Sequence, residues 1–237
     1  MPAKSTAKTA KSRRPRDSLS RETILAAAET IAERDGLNGL TFQAIGDELN
    51  AHPTSMYRHF RDKDDLLLEL IDNLRARSYG GTVLATNDWR NDLRAISKQV
   101  HEHYLRYPEF AQQMAMRTTR RPVEFANVEF VLDAMRRAGV SDADAVRYQR
   151  AFGNLVRSMA SIEAAFLALE PAVRRNDELA YQIEYRQLDP EQFPNIARVA
   201  DPMPGIGDPT AFDTALELLL DAIELRVARA STSQVDH

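Results

Sequence analysis

Residues 51 to 70 read AHPTSMYRHFRDKDDLLLEL, a proline followed within about two helical turns by Thr54, Ser55, Tyr57, Arg58 and His59, with Lys63 just beyond. Hydroxyls such as Thr54 and Ser55 near a helix start can approach phosphates or base edges alongside free backbone N–H groups. Tyr57 can reach a phosphate or a thymine methyl, and Arg58 can offer guanine a bidentate fork. His59 and Lys63 would then clamp the sugar-phosphate backbone. The chemistry these residue types suit is the reading of double-stranded DNA.

The elements that must position them follow from the chain on either side. Pro53 fixes its own φ and pushes His52 out of the α region, so a helix begins at Pro53, where a missing N–H costs nothing. Met56 and Phe60, four apart, then point inward and leave Thr54, Ser55, Tyr57, Arg58 and His59 facing outward. Upstream, Ile24, Ala27, Ala28, Ile31 and Ala32 fall on one face of a helix from Ser20 to Arg34, with Gly36 at its C-cap. Thr41 caps a second short helix whose Phe42, Ile45 and Leu49 share a face, and Asn50 and Ala51 form the turn. Asp62 caps a fourth helix carrying Leu66, Leu67, Leu70 and Leu74 to Gly80 and Gly81, where a domain boundary is expected. Three short helices with a tight turn before the third describe a helix-turn-helix whose recognition helix enters the major groove.

The net charge of −4 hides an asymmetry: residues 1 to 21 carry a local +6, leaving −10 for the remainder. Residues 1–18 read as a disordered basic arm, in which Arg13, Arg14 and Arg16 either hold nucleic-acid phosphate or enter a minor groove, or else form a solvated tail. The chain has no cysteine, which excludes disulfides, thiolate metal sites and cysteine nucleophiles and suits a reducing, cytoplasmic setting. No stretch approaches the roughly 18 to 20 apolar residues of a membrane helix.

Beyond Gly81 every long segment has helical period, over 88–106, 109–117, 123–138, 142–170, 176–187 and 209–229, and no strand is read. The fold expected is all-α: a helix-turn-helix domain over 19–80 that includes a linking helix, a helical domain over 81–230, and a disordered tail over 231–237. In the last helix Phe212, Leu216, Leu218, Leu219, Ile223, Leu225 and Val227 spread over roughly 220° of arc, leaving Asp213, Glu217, Asp221 and Glu224 a narrow, solvated acidic strip. The helix at 142–170 adds Phe152, Leu155, Val156, Met159, Ile162, Phe166 and Leu169. So wide an apolar surface is more than one core covers, so helices 142–170 and 209–229 are expected to pack against their copies as a two-fold four-helix bundle, the alternative being burial of both within one large monomer core.

The stretch ILAAAETIAERDGLNGLTFQAIGDELNAHPTSMYRHFRDKDDLLLELID resembles the DNA-binding domain of the tetracycline-repressor (TetR) family of bacterial regulators, most specifically in MYRHFRDKDDLL. The likeness runs more loosely through DWRNDLRAISKQVHEHYLRYPEFAQQMAMR, the RRP at 120–122, FPNIA and FDTALELLLDAIE. It implies DNA contacts at Thr41, Gln43 and His52 in addition to Thr54, Ser55, Tyr57, Arg58, His59 and Lys63, and an all-helical ligand-binding and dimerisation domain. The tetracycline-binding member carries an arginine where Gln43 stands, so a different operator is implied. In that branch a histidine four residues before an Arg-Pro pair helps hold a magnesium-drug chelate; here Arg117 takes its place, and a cation does not ligate a metal. Magnesium-tetracycline is therefore not the expected effector.

For the effector pocket the resemblance implies Tyr79 and Val100 as wall positions. Phe110, Met114 and Phe152 are either wall or core, and Arg117, Asn127, Asn154 and Arg157 are the candidate polar anchors. His101 and His103, two apart on a helix, do not face each other as metal ligands would. No phosphate loop, nucleophile elbow or triad occurs, so neither an enzyme nor a cofactor is expected. The reading reached is a homodimeric, ligand-responsive regulator, taken as a repressor, that binds a palindromic operator and leaves it when a small molecule enters the second domain. The alternatives are a ligand-independent architectural DNA binder and a small-molecule-modifying helical enzyme, separable by a footprint on the DNA beside its own gene.

Overall fold

The computed structural model describes residues 19–80, 83–201, 203, 205 and 207–235. Every regular element among them is helical. The chain divides into two compact units, residues 1–70 and 71–237, so the division falls inside a helix, ten residues before the glycine pair. The reason lies in the side chains: the segment after Leu70 contributes Asp72, whose carboxylate faces the amides of Val123 and Glu124, and Arg75 and Tyr79, which line a cavity with residues 96–157.

In the N-terminal unit, α1 (Arg21–Gly39) opens on a capping box in which Ser20 and Thr23 exchange side-chain-to-backbone hydrogen bonds. Its apolar stripe of Ile24, Leu25, Ala27, Ala28, Ile31 and Ala32 is buried. Gly36 interrupts it at φ 69°, which a side chain would resist. Thr41 Oγ1 accepts from the Ala44 amide at 3.0 Å and starts α2 (Phe42–Leu49), which ends on Asn50 in the left-handed conformation. Residues Pro53–Arg58 follow as a 3₁₀ helix, and α3 runs over Lys63–Ser78, capped by Asp62 through the Asp65 amide at 2.8 Å.

The second unit holds α4 (Trp89–Arg106), α5 (Pro108–Met116), α6 (Pro122–Arg137), α7 (Asp142–Leu167), α8 (Pro171–Leu179), α9 (Pro194–Val199) and α10 (Ala211–Val235). The expected helix over 176–187 is α8 followed by a π turn and a 3₁₀ turn, and α9 was not foreseen. The expected tail does not begin at 231, because α10 continues to Val235, with the Ser231 and Thr232 hydroxyls donating to the Val227 and Ala228 carbonyls. The core joins Leu93 and Ile96 of α4, Val131 and Met135 of α6, Phe152 and Val156 of α7, and Phe212, Leu216, Leu220 and Ile223 of α10.

The acidic strip of α10 is not simply solvated. Arg90 on α4 donates to Glu217, Asp221 and Glu224 at 2.9, 2.6 and 2.6 Å, and Arg94 Nε donates to Glu217 at 2.5 Å. Arg94 first, then Arg90, hold the Glu217 carboxyl at about 2. On α4 as well, buried Asp92 accepts from the Thr86 amide and hydroxyl and from Arg137 at 2.6 Å. Burial alone would push that carboxyl up, but these donors together hold it below the usual range.

Candidate nucleic-acid interface and effector cavity

The reading segment is built around a close approach. A Cβ on Gly46 would lie 2.8 Å from the Ala51 carbonyl oxygen and 3.3 Å from the Pro53 ring, so a residue without a side chain lets α2 turn sharply into the 3₁₀ helix. Met56 and Phe60 are buried beneath it, while Thr54, Tyr57 and Arg58 are exposed and Ser55 and His59 half-buried. Tyr57, 62% exposed, meets Phe42 edge-on at 5.0 Å between ring centres. That contact brings the start of α2, with exposed Thr41 and Gln43, beside the 3₁₀ helix. Phe60 lies under the Arg21 guanidinium, which also holds Glu69 and the His59 carbonyl.

The helix start differs from the expected one. The Ser55 amide donates to the His52 carbonyl at 2.8 Å, and the Thr54 amide to His52 Nδ1 at 3.3 Å, so neither is free. The cause is Pro53, which has no N–H and lets His52 fold over as the cap. The Thr54 hydroxyl also lies 2.8 Å from Nδ1, and because the Thr54 amide can only donate to that nitrogen, the neutral ring carries its proton on Nε2, a donor on an exposed side chain. Gln43 Nε2 donates to Asp47 at 2.9 Å, and Lys63 Nζ donates to the Leu37 carbonyl at 2.9 Å. Arg13, Arg14 and Arg16 lie outside the described residues.

The second unit encloses a cavity of about 90 Å³. Of the sequence-derived pocket candidates, Tyr79, Val100, Asn127, Phe152 and Arg157 line it. Asn127 Nδ2 reaches the Tyr79 hydroxyl at 3.4 Å. Phe110, Met114, Arg117 and Asn154 do not line it. Phe110 and Met114 are wholly buried, with the Met114 sulfur 3.1 Å from His103 Nε2; Arg117 ends α5 half-buried, and exposed Asn154 accepts from Arg157 at 3.0 Å. Arg75, Ser97 and Tyr104 also line it and were missed. Their signal was present: each is a polar group interrupting an apolar helical stripe, after Ile71 and Leu74, after Leu93 and Ile96, and after Val100. His103 is buried against Ser78 at 2.8 Å, while His101 pairs with Glu163 at 2.7 Å; among the described residues no cluster suited to a metal ion occurs.

Two family models match this chain. Residues 24–70 match the bacterial regulatory proteins of the tetR family, and residues 84–227 match the tetracyclin repressor-like C-terminal domain. The chain belongs to the TetR family. An HTH-type transcriptional regulator of Saccharopolyspora erythraea is 30% identical over 182 residues, covering 76% of this chain and 75% of the relative. The transcriptional repressor DrrR1 of Streptomyces coeruleorubidus is 30% identical over 135 residues, 57% of this chain and 50% of the relative. In structure, ActR of Streptomyces coelicolor, solved in complex with actinorhodin, superposes with a TM-score of 0.76 at 19% identity, covering 88% of this chain and 98% of ActR, and so shows a shared fold. As a TetR-family member the protein is a transcriptional regulator with a helix-turn-helix, and the architectural and enzymatic alternatives are not favoured. The family and these relatives are regulators rather than enzymes.

Proposed function

We propose that this protein represses transcription as a homodimer, through two copies of the Pro53–Arg58 helix set in successive major grooves of a palindromic operator, and carries out no catalysis. The observation that carries the reading is the set of outward Thr54, Tyr57 and Arg58 on a segment whose inward residues, Met56 and Phe60, are fully buried. Thr41, Gln43, His52, Ser55 and His59 complete the contact surface, with Lys63 neutralising phosphate. Arg13, Arg14 and Arg16 add an electrostatic arm, so deleting residues 1–16 lowers the slope of log affinity against log salt by about 0.9 for each phosphate the arm neutralises. An unchanged slope refutes the arm's role.

The dimer forms through α7 and α10. Ile162 on α7 and Leu218 on α10 are 65% and 67% exposed, and Val146 and Leu225 are exposed on the same two helices. Apolar residues on two long adjacent helices suit an isologous four-helix contact. The small-molecule effector enters the cavity of the second unit. Since α3 supplies Lys63 at one end and Arg75 at the other, it is the element whose shift on effector binding changes the spacing of the reading heads from the about 34–36 Å that DNA demands. A footprint on DNA flanking the gene tests the whole: a discrete palindromic protection supports it, and uniform coverage without a site overturns it.

A further inference from the structure

The cavity of the second unit contains hydrogen-bond donors with nothing to receive them. Arg75 is 5% exposed, and Ser97 and Tyr104 are 0% exposed, yet Arg75 Nε, the Ser97 hydroxyl and the Tyr104 hydroxyl make no hydrogen bond of good geometry, although the Arg75 guanidinium lies beside the Tyr104 hydroxyl. Ser97 does not turn back onto its own helix, the usual refuge of a mid-helix serine. Burial pushes the Tyr104 phenol up to about 12, although nearby Arg75 opposes the shift, so it stays a donor. Buried polar groups are nearly always satisfied, and three orphans lining one space mark a site shaped for something absent from the chain.

The electrostatics specify its sign. Among the described residues neither Arg75 nor Arg157 has a carboxylate within ion-pair distance. Arg75 donates to the Met114 carbonyl at 3.3 Å and lies beside the Tyr104 hydroxyl, and Arg157 donates to the Gly153 carbonyl and Asn154 side chain, both at 3.0 Å. The single carboxylate of the lining, Glu124, is occupied by the Thr119 hydroxyl at 2.9 Å and the Arg120 amide at 2.7 Å. Asp72, one turn before Arg75, is directed to the Val123 and Glu124 amides. The lining therefore carries an excess positive charge, and apart from Asn127, Gln149 and the Tyr79 hydroxyl the remaining walls are apolar, including Ile96, Val100, Val131 and Phe152.

We propose that the effector is an amphiphilic carboxylate, its two oxygens received by Arg75 Nε, the Ser97 hydroxyl and the Tyr104 hydroxyl and its apolar body lying along Ile96, Val100 and Phe152. A planar, singly charged group matches a guanidinium edge flanked by hydroxyls, and such charge-assisted hydrogen bonds are the strong ones. The apolar walls exclude a heavily hydrated, multiply charged anion. The proposal rests on the effector-pocket reading given above and adds the chemical class of the ligand.

The test compares 2-naphthoate with its uncharged isostere 2-naphthamide by calorimetry on the full chain, in wild type and in the Ser97→Ala, Tyr104→Phe double variant. These substitutions remove only unpartnered hydroxyls, so the ligand-free melting temperature does not fall. Naphthoate is expected to bind wild type about tenfold or more tighter than naphthamide, with the preference shrinking to about threefold or less in the variant. Equal affinities overturn the carboxylate assignment while leaving an apolar effector pocket in place, as does a preference that survives loss of both hydroxyls. Binding of neither compound also overturns it; the regulator reading is judged separately, by operator binding of the same sample, and fails only if that is absent.

Discussion

Gly46 and Ala51 approach so closely that a methyl group on the glycine would stand 2.8 Å from the alanine carbonyl oxygen. That oxygen belongs to the backbone and has no flexible tail to swing aside. The Gly46→Ala variant is therefore expected to lose about 1–3 kcal/mol of stability in the N-terminal unit and to bind operator more weakly. Urea unfolding followed by circular dichroism measures it; an unchanged midpoint would show that the turn has slack.

Arg58 stands exposed on the reading segment, and among the described residues no carboxylate pairs with it. Arg58→Ala should relax selectivity at one operator base pair by about 1–3 kcal/mol while leaving the other positions unchanged. Competition against a panel of single-base operator variants reads this directly. Equal weakening on operator and random DNA would assign Arg58 to phosphate alone.

His103 gives the second unit a dependence on pH. Burial, reinforced by Arg75 and Arg106, lowers the imidazole to about 3, so the folded protein keeps it neutral while the unfolded chain protonates near the ordinary value of about 6.5. Below that value the unfolded state binds the extra proton, and stability falls by about 1.4 kcal/mol per pH unit until the folded pKa is reached. His103→Gln removes the dependence, reducing the stability difference between pH 7 and pH 5 by about 2 kcal/mol. Chemical denaturation at the two pH values tests this, and identical differences in wild type and variant would refute it.

Leu218 and Ile162 test the dimer. A Leu218→Glu, Ile162→Glu double variant places charge on both faces assigned to the partner copy without touching the buried Leu216, Leu220 or Phe166. Light scattering should show the mass halved with helicity unchanged, and operator affinity should drop because two half-sites no longer act together. A variant that keeps the wild-type mass would move the interface elsewhere.

The fold was legible wherever apolar period and punctuation agreed. Pro53, Thr41 and Asp62 each sit at an element boundary and Gly36 at the kink within α1, because proline geometry, side-chain capping and glycine's positive φ act locally. What stayed hidden depends on distant partners. The solvated look of Glu217 and Asp221 gave no sign of Arg90, more than 120 residues earlier, and the division of the chain within α3 follows from where Asp72 and Arg75 find their neighbours. Pocket residues were half visible for the same reason. Phe110 and Met114 have the right character for a wall but are enclosed by packing, whereas Ser97 and Tyr104 look like incidental polar breaks until burial strips them of water.

The grip of Arg90 on Glu217, Asp221 and Glu224 fixes the azimuth of α10 about its own axis. Leu218 and Leu225 are thereby aimed before any second molecule arrives. In the dimer proposed above, two copies would meet on surfaces already set in register, so little rotational freedom would be left to freeze at encounter and assembly would proceed on nearly every well-oriented collision.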